Sequence, residues 1–193
     1  LRRYFAYGTV SGAGDKTGFQ FDADNSNRFA EIGNGGLVIV SDTSIRLLSA
    51  DGSELWSANI QMSAPALTSG GGRVAAYDVG GTEVFDGNGV LLEQTTEDPI
   101  VAANLNGSGM LALTTEASGT KGHVEVYSAA LQKLFDFNAH RRFVADACVT
   151  EDGKYLAAVT MGQADSVFVS NVVIYDLTQE DPIAEYSVQD GLV

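Results

Sequence analysis

Four short runs in this chain are variants of one pattern: GGLVIVSD (35–42), GRVAAYD (72–78), GMLALTT (109–115) and KYLAAVT (154–160). Each follows a glycine-containing turn: GNGG (33–36), SGGG (69–72), NGSG (106–109) and EDGK (151–154). Each leads into a second run: IRLLSADG (45–52), EVFDGNG (83–89), VEVYSAA (124–130) and VVIYDLT (172–178). A third run closes each unit: ELWSANI (54–60), VLLEQTT (90–96), KLFDFNA (133–139) and IAEYSV (183–188). A short apolar run opens each one: RFAEI (28–32), APALT (64–68), IVAANL (100–105) and FVADACV (143–149). Repetition at a near-fixed period constrains a fold strongly, because each unit must bury its apolar face against its neighbours. The runs are β-branched or aromatic and are bounded by Gly, Asn, Asp and Ser, which is strand chemistry. No stretch of a dozen residues carries apolar positions at helical spacing, so the repeated unit is not helical.

Four strands per unit, at a period of about 36 to 45 residues, describe the blades of a β-propeller. The expected fold is therefore all-β, built of four-stranded antiparallel blades with strands A to D running outward from a central channel. Small residues on the A strands (Ala64, Pro65, Ala66, Ala102, Ala103, Ala145, Ala147) suit a crowded inner position. The units divide the chain into a connector with a short strand (1–27), blade 1 (28–62), blade 2 (63–98), blade 3 (99–139) and blade 4 (140–189), with 190–193 starting a further A strand. About four blades are expected, as the first half of a larger propeller of about seven or eight. A half-ring leaves the flat face of its last blade to be covered by another copy or by further sequence.

Charge narrows the partners. With 11 Lys+Arg against 25 Asp+Glu the net charge is −14, which repels nucleic acid and anionic lipid alike. Cys148 is the sole cysteine, so no internal disulfide forms, and its apolar run predicts a buried, inert thiol. No apolar run approaches the length that spans a bilayer, and the opening LRRYFAYG reads as the interior of a longer polypeptide, which leaves room for a leading anchor.

The unit SIRLLSADGSELWSANI (44–60) resembles the repeat of PQQ-dependent quinoprotein propellers and their non-enzymatic relatives, such as the outer-membrane-assembly lipoprotein propeller. A closer likeness runs over nearly the whole chain. LRRYFAYG, FDADNSNRFAEIGNGGLVIVS, ELWSANIQMSAPAL and RVAAYDVGG are similar to an uncharacterised Firmicutes propeller family, DUF5711. That resemblance implies a membrane-anchored propeller on the extracytoplasmic face of the cell membrane. The family has no assigned activity, so it carries no functional residues over.

The remaining constellations are weighed on chemistry. Trp56 falls on a D strand at the rim, where it is expected to dock neighbouring blades rather than stack on a cofactor. The A strands carry few acids, Glu31 and Asp146 being the main ones, so no PQQ and no other cofactor is expected. Asp22, Asp24 and Ser26 begin like a calcium loop, but Asn27 and Gly33 stand where Gly and Glu are needed, and no metal is expected. His123 begins a C strand as an ordinary strand-end residue. No Gly-x-Ser-x-Gly elbow or His-Glu-x-x-His motif occurs, so no catalytic residue is assigned. GNGG and SGGG are hairpin turns, because no Lys-Ser/Thr follows them. Asn106-Gly107-Ser108 is formally a glycosylation sequon, placed in a tight turn.

One stretch breaks the acidic pattern. NAHRRF (138–143) gathers His140, Arg141 and Arg142. In a propeller it shares a face with the loops EASGTKG (116–122), which holds Lys121, and GQADSVFVSN (162–171), the longest expected loop. These residues are the candidate partner-binding patch, suited to an anionic group. The competing reading pairs Arg141 and Arg142 with Asp136 and Asp146. The expected function is a non-catalytic interaction scaffold of a bacterial cell envelope, binding a protein or envelope partner, with self-association of half-propellers also open. The alternative is a channel-centred small-ligand or enzymatic propeller, quinoprotein-like or lyase-like, completed by missing blades.

Overall fold

A computed structural model describes residues 27–33, 35–86, 88–164 and 167–188. The connector before residue 27, the strand start at 190–193 and the loop acids Asp22 and Asp24 lie outside the described residues. Within them are sixteen strands in four separate antiparallel sheets. Blade 1 is β1 (Arg28–Ile32), β2 (Gly36–Val40), β3 (Ser44–Leu48) and β4 (Glu54–Asn59). Blade 2 is β5 (Ala66–Gly70), β6 (Arg73–Asp78), β7 (Gly81–Asp86) and β8 (Gly89–Thr95). Blade 3 is β9 (Ile100–Leu105), β10 (Leu111–Thr115), β11 (His123–Tyr127) and β12 (Lys133–Asn138). Blade 4 is β13 (Phe143–Val149), β14 (Tyr155–Ala164), β15 (Val167–Asp176) and β16 (Pro182–Val188). In every sheet the strands pair in chain order, so each blade is an up-and-down meander. No helix among the described residues is long and apolar enough to cross a membrane.

The A strands are innermost. β1 packs on β5, β5 on β9 and β9 on β13, and no comparable packing joins β13 back to β1. The described blades therefore form an open arc rather than a closed ring.

Alternation along the strands gives each blade two faces, and most of the buried apolar residues among those described fall into three cores, one per junction. Between blades 1 and 2 lie Val38, Val40, Ile45, Leu47, Val74 and Phe85, among others. Between blades 2 and 3 lie Ala75, Val84, Leu111, Leu113 and Tyr127. Between blades 3 and 4 lie Ala112, Val124, Val126, Phe135, Leu156 and Ala158. Successive B-strand residues go to successive cores: Val74 and Ala76 face blade 1, whereas Ala75 faces blade 3.

Backbone hydrogen bonds knit the blades on one side. The amides of Ile60 and Met62 donate to the Thr43 and Asp42 carbonyls, Thr96 and Ile100 to Gly80 and Val79, and Ala139 and Val144 to Gly122 and Lys121. Each connector from a D strand to the next A strand is thus fastened to the B–C turn beneath it. On the opposite side the C–D turns are closed by side-chain acceptors within or at the start of the turn. Asp51 accepts from the Ser53 amide, Asp86 from Asn88, Ser128 from Ala130 and Asp176 from Thr178.

Three expectations are corrected. The A strand of blade 2 is Ala66–Gly70, two residues later than 64–68, because Gly70 pairs directly with Arg73. That leaves a two-residue turn, Gly71 (φ 58°) and Gly72 (φ 71°), the left-handed pair that matches strand twist in a tight hairpin. The stretch 162–171 is not a long loop. Gly162 pairs with Val169 and Ala164 with Val167, so β14 and β15 run on as a hairpin arm of ten-residue strands. Its Val, Phe and Ser residues suit an extended ladder better than a solvated loop. Cys148, expected to be buried, is exposed. It alternates with Ala147 and Val149, which take the side facing blade 3, so the thiol points to the opposite side of β13.

A candidate partner-binding face

The segments that carry the four cationic or ionisable side chains singled out in the sequence lie side by side at the junction of blades 3 and 4. Lys121 ends the turn between β10 and β11. His140, Arg141 and Arg142 occupy the connector between β12 and β13. Backbone bonds hold these segments together: Lys121 donates its amide to the Ala139 carbonyl at 2.7 Å, and its carbonyl accepts from Val144 at 3.0 Å. The face is thereby fixed by the ladder geometry rather than by the side chains it displays.

The four are not equivalent. Arg142 is half-buried and forms a salt bridge with Glu185 on β16. Its aliphatic stem lies over Gly162, where a Cβ would come within 2.9 Å of the Arg142 Cγ. Asn171 bonds the same carboxylate oxygen, donating Nδ2 to Glu185 Oε1 at 2.9 Å and to the Ser187 hydroxyl at 2.7 Å. The pairing of Arg142 with Asp136 or Asp146 is therefore replaced by Glu185. Asp136 is committed to His123 and Lys133, and Asp146 to Asn104. Lys121 sits with its Nζ 5.0 Å from the centre of the Phe143 ring, a cation–π contact at a ring that is 58% exposed. His140 and Arg141 are exposed. The displayed chemistry is thus Lys121 over Phe143, with exposed His140 and Arg141 on the adjoining connector and the Arg142 charge balanced internally.

Glu185 and Phe143 are participants that sequence reasoning missed. Glu185 is 43 residues from Arg142 in the chain, and its partner follows from a register no local pattern reveals. Phe143 was legible as an apolar strand residue, but the face of β13 that it takes follows from the sheet register rather than from local pattern.

A second cluster also escaped notice. His123, Glu125 and Asp136 bring ligand-type atoms within 4.8 Å of one another. They are cross-strand neighbours: Glu125 pairs with Asp136, and His123 Nε2 lies 3.3 Å from the Asp136 carboxylate. Lys133 Nζ stands between the acids, 3.2 Å from Glu125 and 3.4 Å from Asp136. The Glu125 contact raises the Lys133 pKa. Burial pushes the Asp136 carboxyl up, but the His123 hydrogen bond and Lys133 bring it below the usual aspartate range. With an ammonium already bonded to both carboxylates, the cluster is an ion network and not a metal centre. It ties blade 3 to blade 2, because Tyr127 donates to Glu125 at 2.9 Å and accepts from Gln94 of β8 at 3.2 Å.

Trp56 lies on β4, opposite Leu47. Its ring meets Phe85 of blade 2 edge-on at 5.5 Å, and Nε1 donates to the Asp86 carbonyl at 3.3 Å. Near the channel, Asn104 on β9 donates to the Asp146 carboxylate and to the Ala147 carbonyl. Cys148 has its thiol pKa raised by partial burial and by the neighbouring Asp146 charge, the opposite of an activated nucleophile. The sequon residue Asn106 is buried, its Nδ2 donating to the Thr150 carbonyl and its Oδ1 accepting from Ser108 and Met110.

Four-stranded meander blades stacked through inter-blade cores around an inner row of A strands define a β-propeller. Solved structures agree on the fold. The WD40 domain of Neurospora crassa Pan2 is similar at TM-score 0.54 and 18% identity, over 82% of this chain and 50% of that one. KlHsv2 with loop 6CD replaced by a Gly-Ser linker is similar at TM-score 0.63 and 15% identity, over 90% of this chain and 57% of that one. Kluyveromyces lactis Hsv2p is similar at TM-score 0.55 and 16% identity, over 79% and 50%. The chain spans about half the length of these propellers. Residues 11–188 match a family of unknown function, DUF5711, and the chain belongs to that family. No curated protein sequence matches it.

Proposed function

We propose that this protein is a non-catalytic interaction scaffold that binds a protein or envelope partner through the face at the junction of blades 3 and 4. The observation that carries this reading is the Lys121 ammonium over the exposed Phe143 ring, beside a connector that carries the exposed His140 and Arg141, in a chain of net charge −14. Cations beside an exposed aromatic suit a partner that offers an anionic group and an apolar contact. A rigid scaffold displaying such groups beside loop segments is the usual arrangement of propeller binding faces. Inner-strand polar groups, by contrast, bond to each other through Asn104 and Asp146, which favours the scaffold over a channel-centred ligand site or enzyme. Placement on the extracytoplasmic side of a cell membrane rests on the family resemblance. It is tested by protease accessibility of the natural polypeptide on intact cells.

The patch is tested with the immobilised chain and a series of acidic and neutral peptides carrying one aromatic residue. Lys121→Glu with Arg141→Glu is expected to abolish retention of the acidic series while leaving the circular dichroism spectrum unchanged. Retention that survives both substitutions removes the patch from the reading.

A further inference from the structure

The outermost strand of every blade carries the same irregularity. β4, β8, β12 and β16 end the four sheets, and among the described residues no further strand pairs with them. In β4, Glu54 lies opposite Leu48 and Trp56 opposite Leu47, so Leu55 is an extra residue with no partner across the ladder. In β8 the extra residue is Leu91, between Val90 opposite Phe85 and Leu92 opposite Val84. In β12 it is Leu134, between Lys133 opposite Tyr127 and Phe135 opposite Val126. In β16 it is Ile183, between Pro182 opposite Tyr175 and Ala184 opposite Ile174. Each is a β-bulge, and each falls at the same step of its C–D ladder. The B–C ladders differ, because all four run without a break in register.

Neither the turn nor the core explains this regularity. The turns before the bulges differ: Asp86 pairs with Gly89 across a tight turn in blade 2, whereas Leu48 pairs with Glu54 across residues 49–53 in blade 1. The residue after the bulge ranges from Trp56 to Ala184, so the bulge does not depend on a large side chain being turned into a junction. What stays constant is the bulged residue itself, which is aliphatic in every blade and faces solvent: Leu55, Leu91, Leu134 and Ile183 are 57%, 42%, 53% and 48% exposed. An exposed aliphatic on an outermost strand is a hazard, because the strand edge offers unpaired N–H and C=O groups on which another strand can form.

We propose that the four bulges are a built-in block to strand addition along the rim of the propeller. The rim then neither joins copies of this chain edge to edge nor takes a partner that binds as an added strand. A bulge bends its strand and increases the local twist, which turns the outward backbone groups out of line. The regular ladder left beyond it covers only residues 56–59, 92–95, 135–138 and 184–188. Exposed carboxylates sit on three of these stretches, Glu93, Asp136 and Glu185, and like charges on approaching edges repel. The device belongs to the C–D pair of each blade, so it holds whatever lies on either side of the arc. Lys121 and Arg141 take no part in it, so this inference stands or falls separately from the function proposed above.

Deleting the bulged residue tests it. Leu91 and Leu134 lie in the two middle blades, and removal of Leu134 sets Lys133 and Phe135 at consecutive steps opposite Tyr127 and Val126, with the alternation of faces kept. Chains lacking Leu91 or Leu134 are compared with the wild type and with Leu134→Ala, which keeps the bulge. The deletion variants are expected to retain the wild-type circular dichroism spectrum and to associate as concentration rises. Hydrogen exchange should place the new contact on β8 or β12, with exchange at least about tenfold slower at the top of the concentration series than at the bottom. Wild type and Leu134→Ala are expected to show no such change in either strand. A folded deletion variant whose outer-strand exchange is indifferent to concentration overturns the proposal. So does concentration-dependent protection of β12 in the wild type or in Leu134→Ala, whose bulge is intact. Loss of the native spectrum in both deletions overturns it as well, because the bulges would then be needed to build the blade rather than to guard its edge.

Discussion

Trp56 shows how one residue fixes the relation between two blades. It buries its ring against Phe85 and satisfies its Nε1 on the Asp86 carbonyl, so it contributes both area and orientation to the first junction. Trp56→Ala is expected to lower stability by about 2–3 kcal/mol, less than a fully buried tryptophan because the ring is half-exposed. Urea unfolding followed by circular dichroism measures it, and peptide capture at the Lys121 face should be unaffected. Gly71 is a stricter case. Its φ is 58°, and an added Cβ would overlap the Gly109 backbone nitrogen of blade 3. Neither the conformation nor the space admits a side chain. Gly71→Ala is expected to cost about 2–4 kcal/mol, read by the same denaturation, whereas Gly72→Ala, with nothing within 4 Å of its added carbon, should carry the conformational cost alone.

At the scale of elements, the turns carry a pH dependence. Asp51, Asp152 and Asp176 accept hydrogen bonds from Ser49, Thr150 and Thr178, and these hold each carboxyl below its ordinary value. A carboxyl depressed in the folded state adds stability above its unfolded pKa, about 3.9, and loses it as the pH falls through the folded value. The urea midpoint is therefore expected to be insensitive to these groups between pH 7 and pH 5, and to decline below about pH 4. Replacing all three by Asn, which keeps an acceptor but not the charge, should flatten that decline. An unchanged acid limb in the triple variant would show that these turns do not contribute. The B–C turns and connectors depend instead on backbone bonds, such as Ala139 to Gly122, which no titration touches.

At the scale of the whole arc, the described residues form a one-dimensional array: three junctions, each with its own core, and no packing of β13 on β1 comparable to that between neighbouring A strands. Stability in such an array is a sum over units and nearest-neighbour interfaces. Phe135→Ala, which opens the junction of blades 3 and 4, is expected to loosen blade 4 ahead of the rest. Hydrogen exchange should then show β14 and β15 losing protection while β2 and β6 keep theirs. Uniform loss across all four sheets would mean that the arc unfolds as one cooperative unit.

Much of this was written locally. The four-strand period, the meander order, the hairpin turns and the inner placement of small residues follow from alternation and turn chemistry, which act over a few residues. The grouping of Lys121 with His140, Arg141 and Arg142 was legible too, because chain order in a meander dictates which loops share a face. What the sequence could not specify were relations set by register and by what lies across a sheet. Glu185 becomes the partner of Arg142 because β15 and β16 pair in one register rather than another. Residues 162–171 extend the ladder because each strand offers the other a full set of partners. Cys148 and Tyr186 are exposed although they sit in apolar runs. Burial is a property of neighbouring sheets, and the sequence states only which side of its own sheet a residue takes.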